Sequence, residues 1–238
     1  MVLIDIFAKK KIDHFTVFAS LPDMGRVGGL VSSFLASNLK AEHIANIISS
    51  PKPWVNVKDG VVESATDVYK IYFSDSDKLL ILTGDVQPED HRELLDLCHV
   101  FLDFCLSIGK IKRLYTAGGS LNEMLTGEPR VVGVTTKPEL TKILESSNVD
   151  TLGSEFTTIT WFNGLILGIA SDRNIEAIGF YGEISDKTLP QPLAAKSIVK
   201  AFSRIERLPI STKLFDAQYE EVLDHIERNK GMKNLDKK

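Results

Sequence analysis

Hydrophobic positions along this chain fall into short continuous runs and longer stretches with helical spacing. Phe15-Thr-Val-Phe-Ala19 is one of the short runs and predicts a strand. After Ser20-Leu-Pro-Asp23 the period changes. Val27, Leu30, Val31, Phe34 and Leu35 then recur on one face of a helix. The opposite face carries Gly25, Gly29, Ser33 and Ser37, with Gly28, Ser32 and Ala36 beside them. From Val27 to Leu39 there is no charged residue, whereas a helix with one side in water would carry charge there. The pattern predicts a helix covered on both sides, its small side lying against another segment or another subunit. Asp23 is the expected N-cap, because its carboxylate can accept from a free N–H of the first turn.

The later pattern alternates strand and helix. His43–Ile48 predicts a second strand, and Ser49-Ser-Pro-Lys-Pro53 a break. Trp54–Val57 and Val61–Glu63 flank Asp59-Gly60, the signature of a tight hairpin. Val68–Phe73 alternates, and Leu79–Leu82 is continuously apolar, as a central strand covered on both faces would be. Pro88, Glu89 and Asp90 open the best-marked helix, and Gly109 is expected to close it as a left-handed cap. Ile111–Ala117 follows as a strand, and Gly118-Gly119-Ser120 reads as a turn whose glycines supply unusual backbone angles. Arg130–Thr135 predicts a strand and Pro138–Ser146 a short helix. Phe156–Ala170 is a second uncharged stretch. Its Thr-rich half predicts strand or loop; from Asn163, with Gly164 and Gly168 as small positions, it predicts a helix ending near Asn174. A strand over Ile175–Tyr181 and amphipathic helices over Pro192–Arg207 and Thr212–Arg228 complete the pattern. Strands alternating with helices predict a three-layer α/β/α sandwich with a mixed sheet plus C-terminal helices. Residues 1–208 are expected to form its single domain. Residues 209–230 form a helix packed on it or projecting from it, and 231–238 a flexible polar tail.

Composition narrows the function classes. The 238 residues are 43% hydrophobic and 25% charged, with a formal net charge of -4, which points to neither nucleic acid nor anionic membrane as a partner. Met1–Phe7 places Asp5 inside its apolar run and lysines after it, the reverse of a signal peptide. No apolar run reaches the roughly 18 residues of a spanning helix, so a cytoplasmic protein is expected. Cys98 and Cys105 stand seven apart on a predicted helix, about 10 Å along its axis, too far for a disulfide. They read as small core residues; a zinc site is unsupported, and no cofactor or metal is expected.

Candidate chemistry is sparse. Gly25-x-x-Gly28-Gly29 is neither the dinucleotide fingerprint nor a P-loop, and no acidic residue ends the second strand. Arg26, a cation in a first helical turn, opposes the helix dipole and is expected to face Asp23 or a carboxylate of another subunit. Gly118-Gly119-Ser120 stands where open α/β sheets bind ligands, but Ser120 has no evident base and Gly-x-Ser-x-Gly does not occur. Asp85, Glu89, Asp90 and His91 cluster beyond a strand, and helix-start chemistry accounts for most of them. A non-enzymatic protein is the first expectation. Gly25, Gly29, Ser33, Ser37, Gly164 and Gly168 are the candidate subunit interface; Asp23, Arg26, Gly118, Gly119, Ser120 and Arg130 are the candidate cleft. The alternative is an enzyme or sensor of nucleoside or phosphate compounds, using the cleft near Gly25, Gly118 and Arg130.

Leu21-Pro-Asp-Met-Gly-Arg-Val-Gly28, Leu80-Ile-Leu-Thr-Gly84 with Gln87-Pro88, Thr116-Ala-Gly-Gly119, Pro129-Arg-Val-Val-Gly133 and Phe162-Asn-Gly-Leu-Ile-Leu-Gly168 occur in this order. Gly182-Glu183 and Pro192 with Ala194-Ala195-Lys196 extend the series. The set resembles the proteasome-assembly-chaperone family, in particular archaeal and bacterial relatives of the second eukaryotic assembly chaperone. The resemblance implies a fold similar to the purine nucleoside phosphorylases without their active-site residues. It also implies homo-oligomerisation and a role in helping proteasome α subunits assemble into their ring. Some members end in a hydrophobic residue, tyrosine and one more residue, which docks between α subunits. The sequence here ends Leu235-Asp-Lys-Lys238, so that docking mode is not expected of it.

Overall fold

The computed structural model describes residues 2–122, 124–153 and 157–235, with side chains described as far as Arg228. At the middle of its sheet lies β2 (Ile12–Ala19), in which Phe15, Val17 and Ala19 enter one core and Phe18 the other. It pairs in parallel with β7 (Leu79–Thr83) and with β8 (Gly109–Leu121), and β8 pairs in parallel with β11 (Ala177–Ile184). Every residue of β7 and of β11 is buried. That is the condition of strands with helices on both faces.

On the β7 side, β6 (Val68–Ser74), β3 (Glu42–Ile48) and β1 (Leu3–Ile6) continue the sheet antiparallel. On the β11 side, β9 (Val131–Thr135) is antiparallel, and the two-residue β10 (Asp150–Thr151) is parallel to β9. The described residues thus form a nine-stranded mixed sheet in the order β1-β3-β6-β7-β2-β8-β11-β9-β10. Between β3 and β6, β4 (Val55–Lys58) and β5 (Val61–Ser64) make the expected hairpin. Its turn residues Asp59 and Gly60 both have positive φ, 51° and 79°, as the tight turn requires.

Helices α2 (His91–Ile108) and α4 (Trp161–Asp172) cover one face of the sheet. The other face carries α1 (Val27–Asn38), α3 (Thr141–Ser146), α5 (Pro192–Glu206) and the start of α6 (Lys213–Leu235). This is the expected three-layer sandwich. Phe215 anchors α6 by packing on Phe34 of α1, ring centroids 4.4 Å apart, and Lys196 of α5 pairs with Asp216. The end of α5 is tied to the sheet through Glu206, whose side chain is 6% exposed and accepts from Lys112 Nζ at 2.8 Å. The same carboxylate accepts from the Tyr115 hydroxyl at 2.5 Å and lies 3.5 Å from the Arg113 guanidinium.

Several boundaries differ from the sequence reading, each for a local reason. Leu3–Ile6, within a segment whose charge order argues only against a signal peptide, forms the edge strand β1. Asp90, expected inside the α2 helix, is its cap and accepts from Arg92 N–H and Glu93 N–H, both at 2.9 Å. Gly109 closes α2 in an extended conformation, φ 165°, rather than a left-handed one. It is small because a Cβ there would stand 1.8 Å from the Ile12 carbonyl oxygen. Gly118-Gly119-Ser120 is not a turn: β8 runs straight through it to Leu121. Helix α4 starts at Trp161, two residues before the expected Asn163, and Thr157–Thr160 before it is irregular, as the Thr-rich half predicts; Phe156, where the uncharged stretch begins, lies outside the described residues. Helix α6 continues past Arg228 to Leu235; residues 236–238 of the expected tail also lie outside the described residues.

Candidate functional site

The parallel strands β7, β2, β8 and β11 end on the same side, the side on which open α/β sheets receive ligands. A cleft of ≈ 650 Å³ opens there, lined among others by Pro22, Asp23, Met24, Gln87, Trp161 and Tyr181. That size suits a small molecule. Its floor is built by the loop that leaves β2. Ser20 accepts the Ala117 N–H at 2.6 Å, and Asn163 of α4 both accepts from Leu21 N–H at 3.0 Å and donates to Leu21 O at 3.1 Å. Gln87 donates to the Pro22 carbonyl and accepts from Phe162 N–H at 2.9 Å, serving the start of α4. Two side-chain amides therefore tie the β2 loop to α4.

Asp23 is the centre of this arrangement. Its Oδ1 accepts from Gly28 N–H at 2.9 Å and its Oδ2 from Gly119 N–H at 2.6 Å. The carboxylate serves the first turn of α1, as expected of a cap, from farther back than the N-cap position, because a 3₁₀ turn over Met24–Arg26 intervenes. Burial pushes the Asp23 carboxyl up to about 6, and the two N–H groups offset only part of that.

The glycines around Asp23 answer to close approach. A Cβ on Gly28 would lie 2.4 Å from Leu21 O and 2.7 Å from Ala117 O. On Gly118 it would meet Asp23 Oδ2 and the Tyr181 ring, and on Gly119 the Met24 carbonyl. Extended glycines let the loop lie down on β8, which is why no turn is needed there. Gly25, with φ 63°, is the residue where backbone conformation itself demands glycine.

Of the candidate cleft residues, Asp23, Gly119 and Ser120 line the cleft and Gly118 lies beneath Asp23. Arg26 is exposed with φ 55° and forms no ion pair among the described residues; Asp23 answers backbone N–H groups instead. Arg130 is outside the lining and engages Glu183, Nη2 to Oε1 at 2.8 Å, holding that carboxyl below its usual range. The cleft lining contains Asp23 and Glu89 but no lysine or arginine among the described residues, a polarity that suits a cation better than a phosphate.

The candidate interface residues separate into two kinds. Gly29 packs on Pro22, Gly25 on Gln191 and Gly164 on the Ile159 backbone, all within the chain. Ser33, Ser37 and Gly168 are exposed in the single chain, the first hydrogen-bonded to Thr83 at 2.9 Å. Sequence reasoning did not assign Asn163, Gln87 or Tyr181 a part in the cleft. The first two lie inside the motifs Phe162-Asn-Gly164 and Gln87-Pro88, which were the available signal; nothing in the sequence marks Tyr181.

Elsewhere, among the described residues, no group of three or more His, Cys, Asp or Glu could hold a metal, and no helix is long and apolar enough to cross a membrane. Cys98 and Cys105 are buried thiols; burial pushes Cys98 up to about 12. His99 accepts from Arg173 at 2.7 Å.

Fold and cleft together define a mixed-sheet α/β/α sandwich with its open cleft at the carboxyl ends of the central parallel strands. Residues 17–230 match the model of the PAC2 family, and the chain belongs to that family. It is similar to the crystal structure of Pyrococcus furiosus PbaB, described as an archaeal proteasome activator, with a TM-score of 0.83 and 26% identity over 96% of this chain and 98% of that one. Pyrococcus furiosus PbaA, an archaeal homologue of proteasome-assembly chaperone, shares the fold at a TM-score of 0.77 and 19% identity, covering 96% of each chain. The uncharacterised protein MJ1210 of Methanocaldococcus jannaschii is 25% identical across 97% of this chain and 90% of its own length. The family resemblance read from the ordered motifs is thereby established.

Proposed function

We propose that this protein is a non-enzymatic, self-associating chaperone-type factor that binds proteasome α subunits during assembly of their ring. The observation that carries this reading is the full-length likeness to two proteins, PbaB, a proteasome activator, and PbaA, a homologue of proteasome-assembly chaperone. Two features support it. Ser120 has no hydrogen bond to a base among the described residues, and Asp23 spends both oxygens on backbone N–H groups. Helix α1 itself carries no charge, and Ser33 and Ser37 stand exposed on it with Arg26, Lys40, Lys70 and Asp85 around them, an uncharged centre with a charged rim that a second chain can cover.

The test is co-expression of the chain with the α subunit of its own cell, followed by affinity capture and native mass spectrometry. The expected result is a complex of defined stoichiometry that contains α subunits, together with a free chain heavier than one copy. Capture of the chain alone, with no α subunit retained, would refute the proteasome reading. A strictly monomeric mass at micromolar concentration would refute self-association.

A further inference from the structure

We propose that a second copy of this chain covers the open face of the β1-β3-β6 wing of the sheet, about a two-fold axis running along β3. The inference rests on the self-association proposed above and names the surface that makes it. On the α2 side this wing is core: Ala45, Ile47, Tyr69, Ile71 and Phe73 are buried there. On the opposite side α1 lies over β7 and beside β6, and no residue of β1 or β3 belongs to the core of that side. Successive side chains of a strand point to opposite faces, so the strand register sets three rows on the open side. Leu3, Ile48 and Val68 form an apolar row, and Asp5, Asn46 and Lys70 a polar one. Phe7, His43 and Tyr72 form an aromatic row, with neighbouring ring centroids 5.1 and 5.0 Å apart. Leu3 and Phe7 are more than half exposed, on a face that a layered fold covers.

Charge complementarity selects the occupant. Asp5 and Lys70 flank Asn46, one on each neighbouring strand, and both are exposed and without an ion pair among the described residues. Turned about an axis along β3, a second copy sets its β1 over β6 and its β6 over β1, while each row keeps its place. Asp5 then meets the partner's Lys70 at both ends of the contact. Leu3 meets Val68, Phe7 meets Tyr72, and Ile48 and Asn46 meet their own copies, as an isologous contact requires. An axis across the strands would instead set Asp5 on Asp5 and Lys70 on Lys70, a juxtaposition that disfavours binding. The dimensions agree with the first axis. A sheet packed face to face stands about 10 Å away, which is the level of α1, a helix about 10 Å across. The partner's β1 therefore comes alongside α1, where the small side chains Ser33 and Ser37 line a groove against Lys70 and Tyr72 and leave room for a strand edge.

The test uses the full chain, with native mass spectrometry and sedimentation across a dilution series. The wild type is expected to hold an even number of copies. Asp5→Lys and Lys70→Asp each set like charges opposite one another twice and should weaken the contact at least about tenfold. Their urea midpoints should stay at the wild-type value, because neither side chain is paired within its own chain. An equal mixture of the two variants restores both ion pairs, and a species with one copy of each should form with wild-type affinity. Single variants that associate as tightly as the wild type, or a mixture that stays dissociated, would overturn this surface and leave self-association to another one. Single variants of unchanged mass that lose α-subunit capture would give the face to the α subunit and overturn it equally. An odd-numbered wild-type assembly would overturn the two-fold contact, since isologous contacts join copies in pairs. A strictly monomeric wild type would overturn both this contact and the self-association on which it rests.

Discussion

Asp23 makes stability depend on pH in a direction opposite to that of most paired carboxylates. Its carboxyl is raised from an ordinary 3.8 to about 6 because it is buried. The folded state therefore holds a proton that the unfolded chain gives up, and folding is favoured by acid. The contribution is fully present below about pH 3.8 and is lost as pH rises through about 6. A shift of about two units is worth about 3 kcal/mol in all. Between pH 8 and pH 5 the linkage relation gives about 1–2 kcal/mol of that, as the folded state takes up most of its proton while the unfolded state takes up almost none. Asp23→Asn has no charge to titrate. It keeps one acceptor for Gly28 or Gly119 and turns a donor towards the other N–H, a loss of about 1–3 kcal/mol that does not change with pH. Urea unfolding of both proteins at pH 8 and pH 5 isolates the effect, because every other titrating group cancels in the difference. The wild type should gain about 1–2 kcal/mol on the variant at the lower pH. A difference that stays constant, or that moves in the variant's favour, would refute the assignment of Asp23 as a buried acid.

Three further substitutions test the frame around it. Gly28→Ala forces a methyl group between the Leu21 and Ala117 carbonyl oxygens and should destabilise the fold by about 3 kcal/mol, read as a lower urea midpoint at unchanged slope. Glu206→Ala removes the carboxylate that Tyr115, Arg113 and Lys112 share, leaving Arg113 to Glu176 and to the Tyr115 hydroxyl, and should cost about 1–3 kcal/mol, measured the same way. Gln87→Ala frees the Pro22 carbonyl and the Phe162 N–H together. It should cost about 1–2 kcal/mol and increase quencher access to Trp161, with Trp54, exposed just before β4, as the internal reference.

The layers of this fold were legible because periodicity reports burial directly. Leu79–Leu82 reads as a central strand and lies inside the sheet, between antiparallel β6 and parallel β2; the stripe from Leu94 to Ile108 reads as a core face and is one. What failed was the meaning of small residues. A glycine in sequence is silent about whether it supplies a backbone angle or a space. Gly25 supplies an angle, while Gly28, Gly109, Gly118 and Gly119 supply space for a carbonyl or carboxylate from a segment remote in sequence. That distinction needs the third dimension. Asp23 was legible as a cap for the first turn of α1, yet its bond to Gly119 spans 96 positions and no local rule could announce it. Tyr181 was invisible for the same reason: inside a strand buried along its whole length, only the neighbours reveal that its hydroxyl is unpaired.

The candidate interface set can be tested for the kind of assembly it would make. Ser33 and Ser37 lie on α1, which packs on one face of the sheet, and Gly168 on α4, which packs on the other. The sheet separates them, so no single patch contains all three. If self-association is isologous, one patch meets its own copy and the other stays bare. If both are used, the α1 patch of one copy meets the α4 patch of the next, and a contact of that kind continues until it closes into a ring. Ser37→Arg and Gly168→Arg separate the cases, because each places an unpaired guanidinium where a partner would have to bury it, at a cost of several kcal/mol, and both positions are exposed in the single chain. An isologous contact through α1 is broken by Ser37→Arg alone. A head-to-tail contact is broken by either variant, but a mixture of the two restores one contact, between the intact α4 patch of the first and the intact α1 patch of the second. Native mass spectrometry of that mixture should then show a two-chain species holding one copy of each variant. Variants that both retain the wild-type mass would place self-association on some other surface.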